Sequence, residues 1–392
     1  MTQGMARWTP YLGIVVAGSA SFSMSTLFSS MKPVLLTRFV EQAGFSQSLA
    51  GLIVAMPFVG GVFSAFVMHI ILRHLNYRQA AILFSLGLVV CEAINGIAFT
   101  NPAVVFVCQF ISGFSVGALM GVTSRLISQT HAPDGIFGVV DMMCVLMMSF
   151  FIAGIGAAVE ARGLAGGFQT ALGIAVALSA LMFAYQPKSS AALGAETAGK
   201  IELSWRPVTI ILMGILFITF SGLGFTYMFT MARNLGFTYE SAGSQIGVIL
   251  FFSAFACAVG GWASAKFGPV WPLAGAFVSC SAGWWVAIHT TNPLIFLAAL
   301  VPAIYSLQFA CPILLAFAGA QDKEGHWASV AAPLVTSGFA WAAIASGMIV
   351  DLWGLQSLSI VTLGGMMLCG AMLWVVTRRP AAIPAEPALQ QS

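Results

Sequence analysis

The sequence predicts an all-α polytopic membrane protein with twelve transmembrane helices in two pseudo-symmetric six-helix bundles. Apolar residues make up 59% of the 392-residue chain and charged residues only 7%, whereas a soluble domain carries roughly 25% charged residues. Apolar stretches of about twenty residues, the length that spans a bilayer, recur along the whole chain. Short segments also recur at a nearly constant distance, which indicates a duplicated membrane unit.

Two pairs of segments carry the evidence for duplication. Residues 44–46 (Gly-Phe-Ser) recur as 236–238 (Gly-Phe-Thr), and each segment is followed shortly by Ala-Gly. Residues 100–102 (Thr-Asn-Pro) recur as 291–293. Internal repeats of this kind are typical of secondary transporters.

Proline, glycine, asparagine and charged residues mark the ends of the spans. The first six predicted spans are 10–31, 46–71, 79–99, 102–125, 136–159 and 167–186. The second six are 207–231, 241–265, 271–289, 294–320, 327–350 and 356–376. The predicted domains are an amino-terminal bundle at 1–187, a cytoplasmic linker at 188–206, a carboxy-terminal bundle at 207–379 and a disordered tail at 380–392.

Positive charges favour one orientation of these spans. If the amino terminus is cytoplasmic, most lysines and arginines lie on the inner side, and the outer side holds only Lys32, Arg38, Arg162 and Arg233. The positive-inside rule then predicts that both termini are cytoplasmic. We expect a multi-pass protein of a cell membrane, specifically a bacterial inner membrane.

Composition also excludes several classes of function. The net charge is +3 and no basic run suited to nucleic acid is present. The seven cysteines include no CxxC pair, so neither a metal site nor a disulfide framework is indicated, and buried packing is their favoured role. A Walker-type loop is missing, which argues against ATP as the driving force. We expect no cofactor, and a monomer whose partners are the lipid bilayer, a small-molecule solute and protons.

Glu92 is the most informative single residue, because it lies near the middle of the third predicted span. A charged side chain at that depth costs roughly 2.5–3.5 kcal/mol on insertion scales. A carboxyl group there is able to take up and release a proton as water access alternates, so we predict a proton-coupling role. The alternative is a protonated acid that bonds a neighbouring helix.

Arg125 and Asp141 lie at equal sequence distances on either side of Pro133. Antiparallel neighbouring helices would bring them to a similar depth near the cytoplasmic face. We predict a gate ion pair that breaks on opening, with Asp141 as a second candidate for proton coupling. The alternative is a static pair between the fourth and fifth helices, and a buried pair is weak evidence for stability.

Lys32 and Arg38 lie at the predicted outer end of the first span. In that position they would attract anions to the outer mouth. The alternative is that they extend to the membrane interface, as long basic side chains do.

Twelve spans, two similar halves and a polar central linker resemble the major facilitator superfamily. Gly261 and residues 265–268 (Ala-Lys-Phe-Gly) are similar to the loop motif that follows the family's second helix, and residues 69–78 are its first-half equivalent. The acid of that motif is missing from both places. Gln109 stands where the family's fourth helix often carries an arginine linked to proton coupling. A glutamine does not exchange a proton near neutral pH, but it hydrogen-bonds a solute.

The resemblance implies that the first, fourth, seventh and tenth helices line a central solute cavity. The candidate substrate-binding residues are the polar side chains on these helices: Ser23, Thr26, Gln109, Tyr227, Tyr305 and Gln308. Small hydroxyl residues also let helices pack closely, which is the alternative for most of the serines. The larger polar heads of Gln109, Tyr305 and Gln308 need partners in a dry environment.

Residues 113–117 (Gly-Phe-Ser-Val-Gly) match the nucleophile pattern of serine hydrolases. That pattern requires a strand-to-helix turn and a matching histidine. Ser115 instead lies in an uninterrupted apolar stretch, so close helix packing by its two flanking glycines is favoured over catalysis.

These features predict a secondary active transporter, not an enzyme, that moves a small organic solute by alternating access and is driven by the proton gradient. The solute is expected to be neutral or weakly acidic and partly aromatic, because the cavity implied by the resemblance has few fixed charges. A drug or metabolite efflux pump of the same fold is the alternative within this class. An intramembrane hydrolase using Ser115 and a non-transporting membrane receptor are alternatives from other classes.

Overall fold

The computed structural model describes residues 12–71, 75, 77–128, 133–185, 205–319 and 334–378, and these ranges contain helices and turns. In the amino-terminal half, α1 is Leu12–Glu41, α2 is Gln47–Ile71, α3 is Tyr77–Ala98 and α4 is Pro102–Ser128, followed by the long stretch Pro133–Tyr185. In the carboxy-terminal half, α7 is Trp205–Asn234, α8 is Tyr239–Phe267, α9 is Val270–His289, α10 is Pro293–Gly319, α11 is Gly338–Trp353 and α12 is Ser357–Arg378.

The stretch Pro133–Tyr185 is two helices joined at Gly163, where φ is 64° and ψ is −152°. Its 53 residues would extend about 80 Å as one helix, far beyond the roughly 30 Å core of a bilayer. A Cβ at Gly167 would lie 2.8 Å from Val159, whereas a straight helix would separate these residues by about 12 Å. The chain therefore turns sharply at Gly163, which adopts the left-handed φ that glycine allows. We label the two arms α5 (residues 133–162) and α6 (residues 164–185).

With this division the described residues contain twelve helices, the number of membrane spans that the sequence predicts. Eleven helical segments in the described ranges are long and apolar enough to cross a bilayer, and one of them, Val139–Tyr185, contains the turn at Gly163. The all-α polytopic fold class is thus confirmed, and the chain is built as a multi-pass membrane protein.

The repeated sequence segments adopt the same local structure. The side-chain oxygen of Asn101 accepts hydrogen bonds from the backbone at the start of α4, and Asn292 does the same at the start of α10. Each asparagine is followed by the proline that begins the helix, Pro102 or Pro293. Proline suits the first helical position because its missing N–H needs no partner there. The fourth helix of each half therefore begins with the same asparagine cap followed by proline.

The turns that end α1 and α7 are also equivalent. Gly44 has a φ of 70° and Gly236 a φ of 87°. The backbone amide of the next residue, Phe45 or Phe237, bonds back to the end of the preceding helix at 3.1 Å in both halves. These matching turns support the two-fold internal duplication.

The two halves meet along three helix pairs, α1 with α7, α2 with α11 and α5 with α8. Glycines make the last two contacts close. A Cβ at Gly51 of α2 would lie 3.3 Å from the Cα of Gly347 in α11, and a Cβ at Gly243 of α8 would lie 3.3 Å from the Cα of Gly156 in α5. Gly51 and Gly243 belong to the repeated segments, so the duplication creates both contacts.

We call the end of the bundle where α1 finishes the Glu41 end, and the opposite end, where α1 begins and α12 finishes, the terminal end. The glycine contacts lie near the Glu41 end, because Gly51 and Gly243 are each one turn inside the helix that starts there. In the described part of the chain, close backbone contacts between the halves are thus found near the Glu41 end.

The predicted end of the first helix is wrong, and the error changes where Lys32 is expected to lie. The first span was predicted to end at residue 31, but α1 continues to Glu41 and contains Pro33 within it. Proline removes only one intrahelical hydrogen bond, so a helix packed on all sides tolerates it. Lys32 consequently lies inside the bundle instead of at its rim.

Several predictions fall outside the described residues. They are the linker at 188–204, the tail at 380–392, the start of the eleventh predicted span at 327–333, and most of the first loop motif, including Arg73, His74 and Asn76. These remain predictions.

Candidate functional site

A cluster of charged and aromatic side chains ties α1, α7 and α8 together at the Glu41 end. The hydroxyl of Tyr239 donates to Glu41 Oε2 at 2.8 Å. Glu41 also lies 3.7 Å from Arg38 and 4.0 Å from Arg233. Both guanidinium groups stack over the Tyr239 ring, at 4.3 Å for Arg38 and 5.0 Å for Arg233. We call these four residues the Glu41 latch, because they hold helices of both halves in one network.

Carboxylates from each half cap a helix of the other half at the same end. Asp351 of α11 accepts hydrogen bonds from the backbone amides of Gln47 at 3.2 Å and Ser48 at 2.7 Å, and from the Ser48 hydroxyl. Glu160 of α5 accepts one from the backbone amide of Tyr239 at 2.7 Å. Helix N-termini favour carboxylates because their first amides lack partners and their dipole is positive. Glu160 and Asp351 thus close the Glu41 end by one two-fold related mechanism.

Two further polar contacts cross between the halves near the latch. The hydroxyl oxygens of Thr37 and Thr230 lie 2.9 Å apart and join α1 to α7. The hydroxyl of Tyr227, a predicted substrate-binding residue, donates to Gln47 Oε1 at 3.0 Å. Tyr227 is fully buried, so in this conformation its phenol serves the contact between α7 and α2.

Lys32 lies between the two halves with only 1% of its surface exposed. The expectation that it sits at the outer mouth or extends to the interface is wrong. Its ammonium group is 5.4 Å from the ring centre of Phe58 in α2, 5.5 Å from Phe225 in α7 and 5.0 Å from Phe339 in α11. Cation–π contacts contribute about 2 kcal/mol or more when desolvated, so three aromatic faces offset much of the cost of burying this charge. Other described residues provide no hydrogen-bond partner for Nζ.

Gln109 lies beside Lys32, because both line a cavity of about 10 Å³ between α1, α2 and α4. That volume corresponds to about one water molecule. Gln109 is 2% exposed, and among the described residues its Nε2 finds no acceptor. The other lining residues are Phe28, Met31, Leu35, Val54 and Pro57. Two buried residues, each with a hydrogen-bond donor that lacks a partner among the described residues, thus line one otherwise apolar cavity.

The rings of Phe58 and Phe339 form the contact between the halves next to Lys32. Their centroids are 5.7 Å apart, and both side chains are only half-buried, whereas Lys32 is fully enclosed. The Gly51–Gly347 contact closes the same α2–α11 seam closer to the Glu41 end. The Phe58–Phe339 pair therefore forms part of the enclosure of the Lys32 ammonium group where α2 meets α11.

Glu92 is completely buried between α3 and α4. Its Oε1 accepts a hydrogen bond from Ser112 at 2.8 Å, while Oε2 has no partner among the described residues. Ser112 is one turn after Gln109 on α4, so Glu92 is close to the helix that also lines the Lys32 cavity. Asn95, almost one turn further along α3, interacts with the Glu92 carboxyl group, although neither polar atom of its side chain makes a well-formed hydrogen bond in the described part of the chain. The buried acid that the sequence indicates is present, and its coupling role remains a prediction.

Asp141 has an exposed side chain on α5. Its carboxyl group lies within electrostatic range of Cys257 in α8 and Cys311 in α10, which are helices of the carboxy-terminal half. Arg125 lies on α4, but its side chain is outside the described part of the structure. The predicted Arg125–Asp141 gate pair therefore stays a prediction.

The remaining predicted binding residues occupy other places. Ser23 is buried 4.0 Å from the sulfur of Cys144 in α5, and Thr26 donates to the Ser23 carbonyl at 2.9 Å. Tyr305 lines a groove of about 430 Å³ between α8, α9 and α10. Gln308 is half-buried one turn further along α10. None of these four lines the Lys32 cavity, so only Gln109 of the predicted set lies beside the buried charge.

The hydrolase-like segment has a packing role. A Cβ at Gly113 would overlap the Pro57 carbonyl of α2, and one at Gly117 would overlap Ser64 and approach Gly61. Ser115 is buried inside α4 against Gly87 of α3. The flanking glycines therefore bring α4 close to α2, as the sequence analysis favours.

Neither the Glu41 latch nor the aromatic enclosure of Lys32 was predicted from the sequence. Latch partners such as Glu41 and Tyr239 are 198 residues apart, and no local pattern connects them. The sequence repeat did contain a signal for the two carboxylate caps, because Glu160 and Asp351 are acids at equivalent positions in the two halves. Superimposing the halves on the repeated segments would have paired them.

Comparisons with known proteins agree with this architecture. Residues 11–190 match the family model described as "Sugar (and other) transporter", which belongs to the major facilitator superfamily. The structure is similar to that of the nucleoside transporter NupG, with a TM-score of 0.74 at 11% identity, covering 94% of this chain and 100% of that one. No curated protein sequence gave a significant match.

Two further solved structures have the same fold. A bacterial homologue of the human lysosomal transporter Spinster, inward-facing and unoccupied, gives a TM-score of 0.74 at 12% identity over 93% of this chain and 96% of that one. A D-xylose–proton symporter gives a TM-score of 0.74 at 14% identity over 94% of this chain and 97% of that one. Together with the family-model match to residues 11–190, these likenesses agree with the resemblance seen in the sequence: the chain has the fold of the major facilitator superfamily transporters.

Proposed function

We propose that this protein is a secondary active transporter that moves a small organic solute across the membrane by alternating access. One observation carries the proposal. The two halves are joined at the Glu41 end by two-fold related contacts, Gly51 with Gly347 and Gly156 with Gly243, while Asp141 of the amino-terminal half is exposed. Such halves are suited to rock about a central site.

The solute site we propose is the region between the halves around Lys32 and Gln109. With the amino terminus in the cytoplasm, the Glu41 end is the outer face, so the structure corresponds to a state closed to the outside. The similar Spinster homologue is described as inward-facing, which supports this assignment. The Glu41 latch and the two carboxylate caps then act as the outer gate.

We further propose that protons drive the transport through Glu92. A fully buried carboxyl group with one bonded and one unpartnered oxygen gains or loses a proton only when water reaches it. The likeness to a D-xylose–proton symporter supports proton coupling as a mechanism available to this fold.

A reversible cross-link of the Glu41 end tests alternating access. Thr37 and Thr230, whose hydroxyls lie 2.9 Å apart across the halves, are replaced with cysteine in a background without the native cysteines. Uptake is measured in proteoliposomes with labelled uridine, D-xylose, a dipeptide and benzoate. We expect one solute to be transported, oxidation to abolish its flux because the outer gate cannot open, and a reductant to restore it.

The matched control is a cross-link within one half. Ser21 of α1 and Thr123 of α4 also have hydroxyl oxygens 2.9 Å apart, but both lie in the amino-terminal half. Oxidation of cysteines at these positions is expected to leave flux intact. Undiminished flux through the oxidised Thr37–Thr230 pair would contradict the proposed gate. Solute binding without any flux in the reduced protein would favour a receptor.

A further inference from the structure

Lys32 is the only ionisable residue among the described residues that line its cavity, and none of these residues supplies a counter-ion. The described residues that line the cavity with it are apolar except for Gln109. Glu41, an acid further along the same helix, is already engaged by Arg38, Arg233 and Tyr239. Burying a charge without a partner is strongly disfavoured, unless a bound ligand supplies the opposite charge.

The enclosure of Lys32 suits a charged ammonium group. Three phenylalanine rings approach Nζ at 5.0–5.5 Å, and aromatic faces attract a cation because their quadrupole is negative there. The rings come from α2, α7 and α11, so both halves contribute. A charge held at the junction of two moving halves is in the position where a transported solute would meet it.

The unpartnered atoms at this site are all hydrogen-bond donors. Lys32 Nζ offers three N–H groups and Gln109 Nε2 offers two, and neither atom has an acceptor among the described residues. A neutral carbonyl oxygen could accept from both groups, but it would leave a positive charge on the ammonium group uncompensated. A carboxylate is acceptor-only and negatively charged, and so it complements both groups.

We propose that Lys32 is the anchor for the carboxylate of a transported organic acid, with Gln109 as the second donor and the apolar part of the acid against the phenylalanine rings. This inference rests on the proposed transport function and specifies its substrate class. In the present conformation the cavity of about 10 Å³ is too small for such a solute. The Phe58–Phe339 contact must therefore separate to admit it, which links binding to movement of the halves.

Thermal stabilisation of the purified protein in lipid nanodiscs tests this site without requiring transport. Benzoate, phenylacetate and hexanoate are each compared with the neutral amide of the same skeleton at one concentration and neutral pH. Ligands that bind only the folded state raise the melting temperature. We expect at least one acid to stabilise the wild-type protein and its amide to have little effect.

Substitutions at position 32 then test whether Lys32 is the residue that binds the acid. Lys32→Met keeps a side chain of similar length without the charge, and we expect it to bind the stabilising acid roughly tenfold or more weakly, because a charge-assisted hydrogen bond is lost. Lys32→Arg keeps the charge and is expected to retain much of the binding. The unliganded Lys32→Met protein should be at least as stable as the wild type, since an unpaired buried charge is gone.

Three results would overturn the assignment: no stabilisation of the wild type by any of the acids, equal stabilisation by acids and amides, or unchanged acid binding by Lys32→Met. The first two need no variant, so they hold even if a substitution prevents folding. Flux of the same acid is measured separately in proteoliposomes. Binding without flux would refute transport and leave the carboxylate site, whereas flux independent of Lys32 would refute the site alone.

Discussion

Replacing Glu92 with glutamine is expected to abolish uphill solute flux driven by a pH gradient while leaving solute exchange across the membrane intact. Glutamine has nearly the same shape, and its carbonyl still accepts the hydrogen bond that Ser112 donates to Oε1 at 2.8 Å. Unlike the carboxyl group of Glu92, the glutamine amide cannot take up and release a proton at this buried position. The measurement compares pH-driven accumulation with counterflow exchange of the same labelled solute in proteoliposomes.

Glu240→Gln is the matched control, because it makes the same chemical change at an exposed carboxylate in the first turn of α8. This variant is expected to accumulate solute like the wild type. If Glu92→Gln also accumulates solute against its gradient, Glu92 is a structural acid that joins α3 to α4, and coupling resides elsewhere, with Asp141 the next candidate.

Replacing Gly113 with alanine is expected to destabilise the amino-terminal half severely. The added Cβ would overlap the carbonyl, carbonyl carbon and Cα of Pro57, and these backbone atoms of α2 cannot move aside as a flexible side chain would. Overpacking of a tight contact costs about 1–3 kcal/mol and occasionally more. We expect a melting temperature several degrees lower in detergent and a smaller monodisperse peak in size-exclusion chromatography.

Gly121→Ala on the same helix is the control. Among the described residues, no atom lies within 4 Å of a Cβ placed there, and alanine forms helix better than glycine by about 1 kcal/mol. This variant is expected to be as stable as the wild type or slightly more stable. Equal melting temperatures for the Gly113→Ala and Gly121→Ala proteins would mean that α2 and α4 are not packed as closely as described.

The repeated segments predicted the architecture because they encode local structure. Asn101 and Asn292 cap equivalent helices, and Gly44 and Gly236 end equivalent ones, since such turns depend on a few adjacent residues. The turn at Gly163 also lies within the break predicted between 159 and 167. Such local signals can be recognised in a single sequence without knowledge of tertiary contacts.

The end of α1 was misjudged because local rules favour a stop at a lysine followed by proline. In the structure the neighbours of Lys32 decide the outcome. Phe58, Phe225 and Phe339 are 26, 193 and 307 residues away from it in the chain, and only the folded bundle brings their rings around the ammonium group. Lys32 was therefore expected near the surface. The solute cavity was expected to have few fixed charges, although this basic side chain lies inside the bundle.

The candidate site could be predicted only in part for the same reason. Gln109 was singled out by its large polar head in an apolar helix, and the structure sets it beside Lys32. Tyr227 was chosen as a polar residue on the seventh helix, which the resemblance places at the cavity, yet its hydroxyl bonds Gln47 across the halves. Helix number and residue type thus indicate which side chains need partners, while the relative rotation of the helices determines what those partners are.

Distances between the two halves test alternating access most directly. Spin labels are attached at Ser46 and Gln356 near the Glu41 end, and in a second protein at Leu12 and Trp205 at the terminal end, all of them exposed positions. Double electron–electron resonance in nanodiscs is recorded with and without a solute that the flux assay identifies. Adding solute is expected to lengthen the Ser46–Gln356 distance and shorten the Leu12–Trp205 distance in part of the population. Unchanged distances at both ends during demonstrated transport, or changes of the same sign, would contradict two halves that rock about a central site.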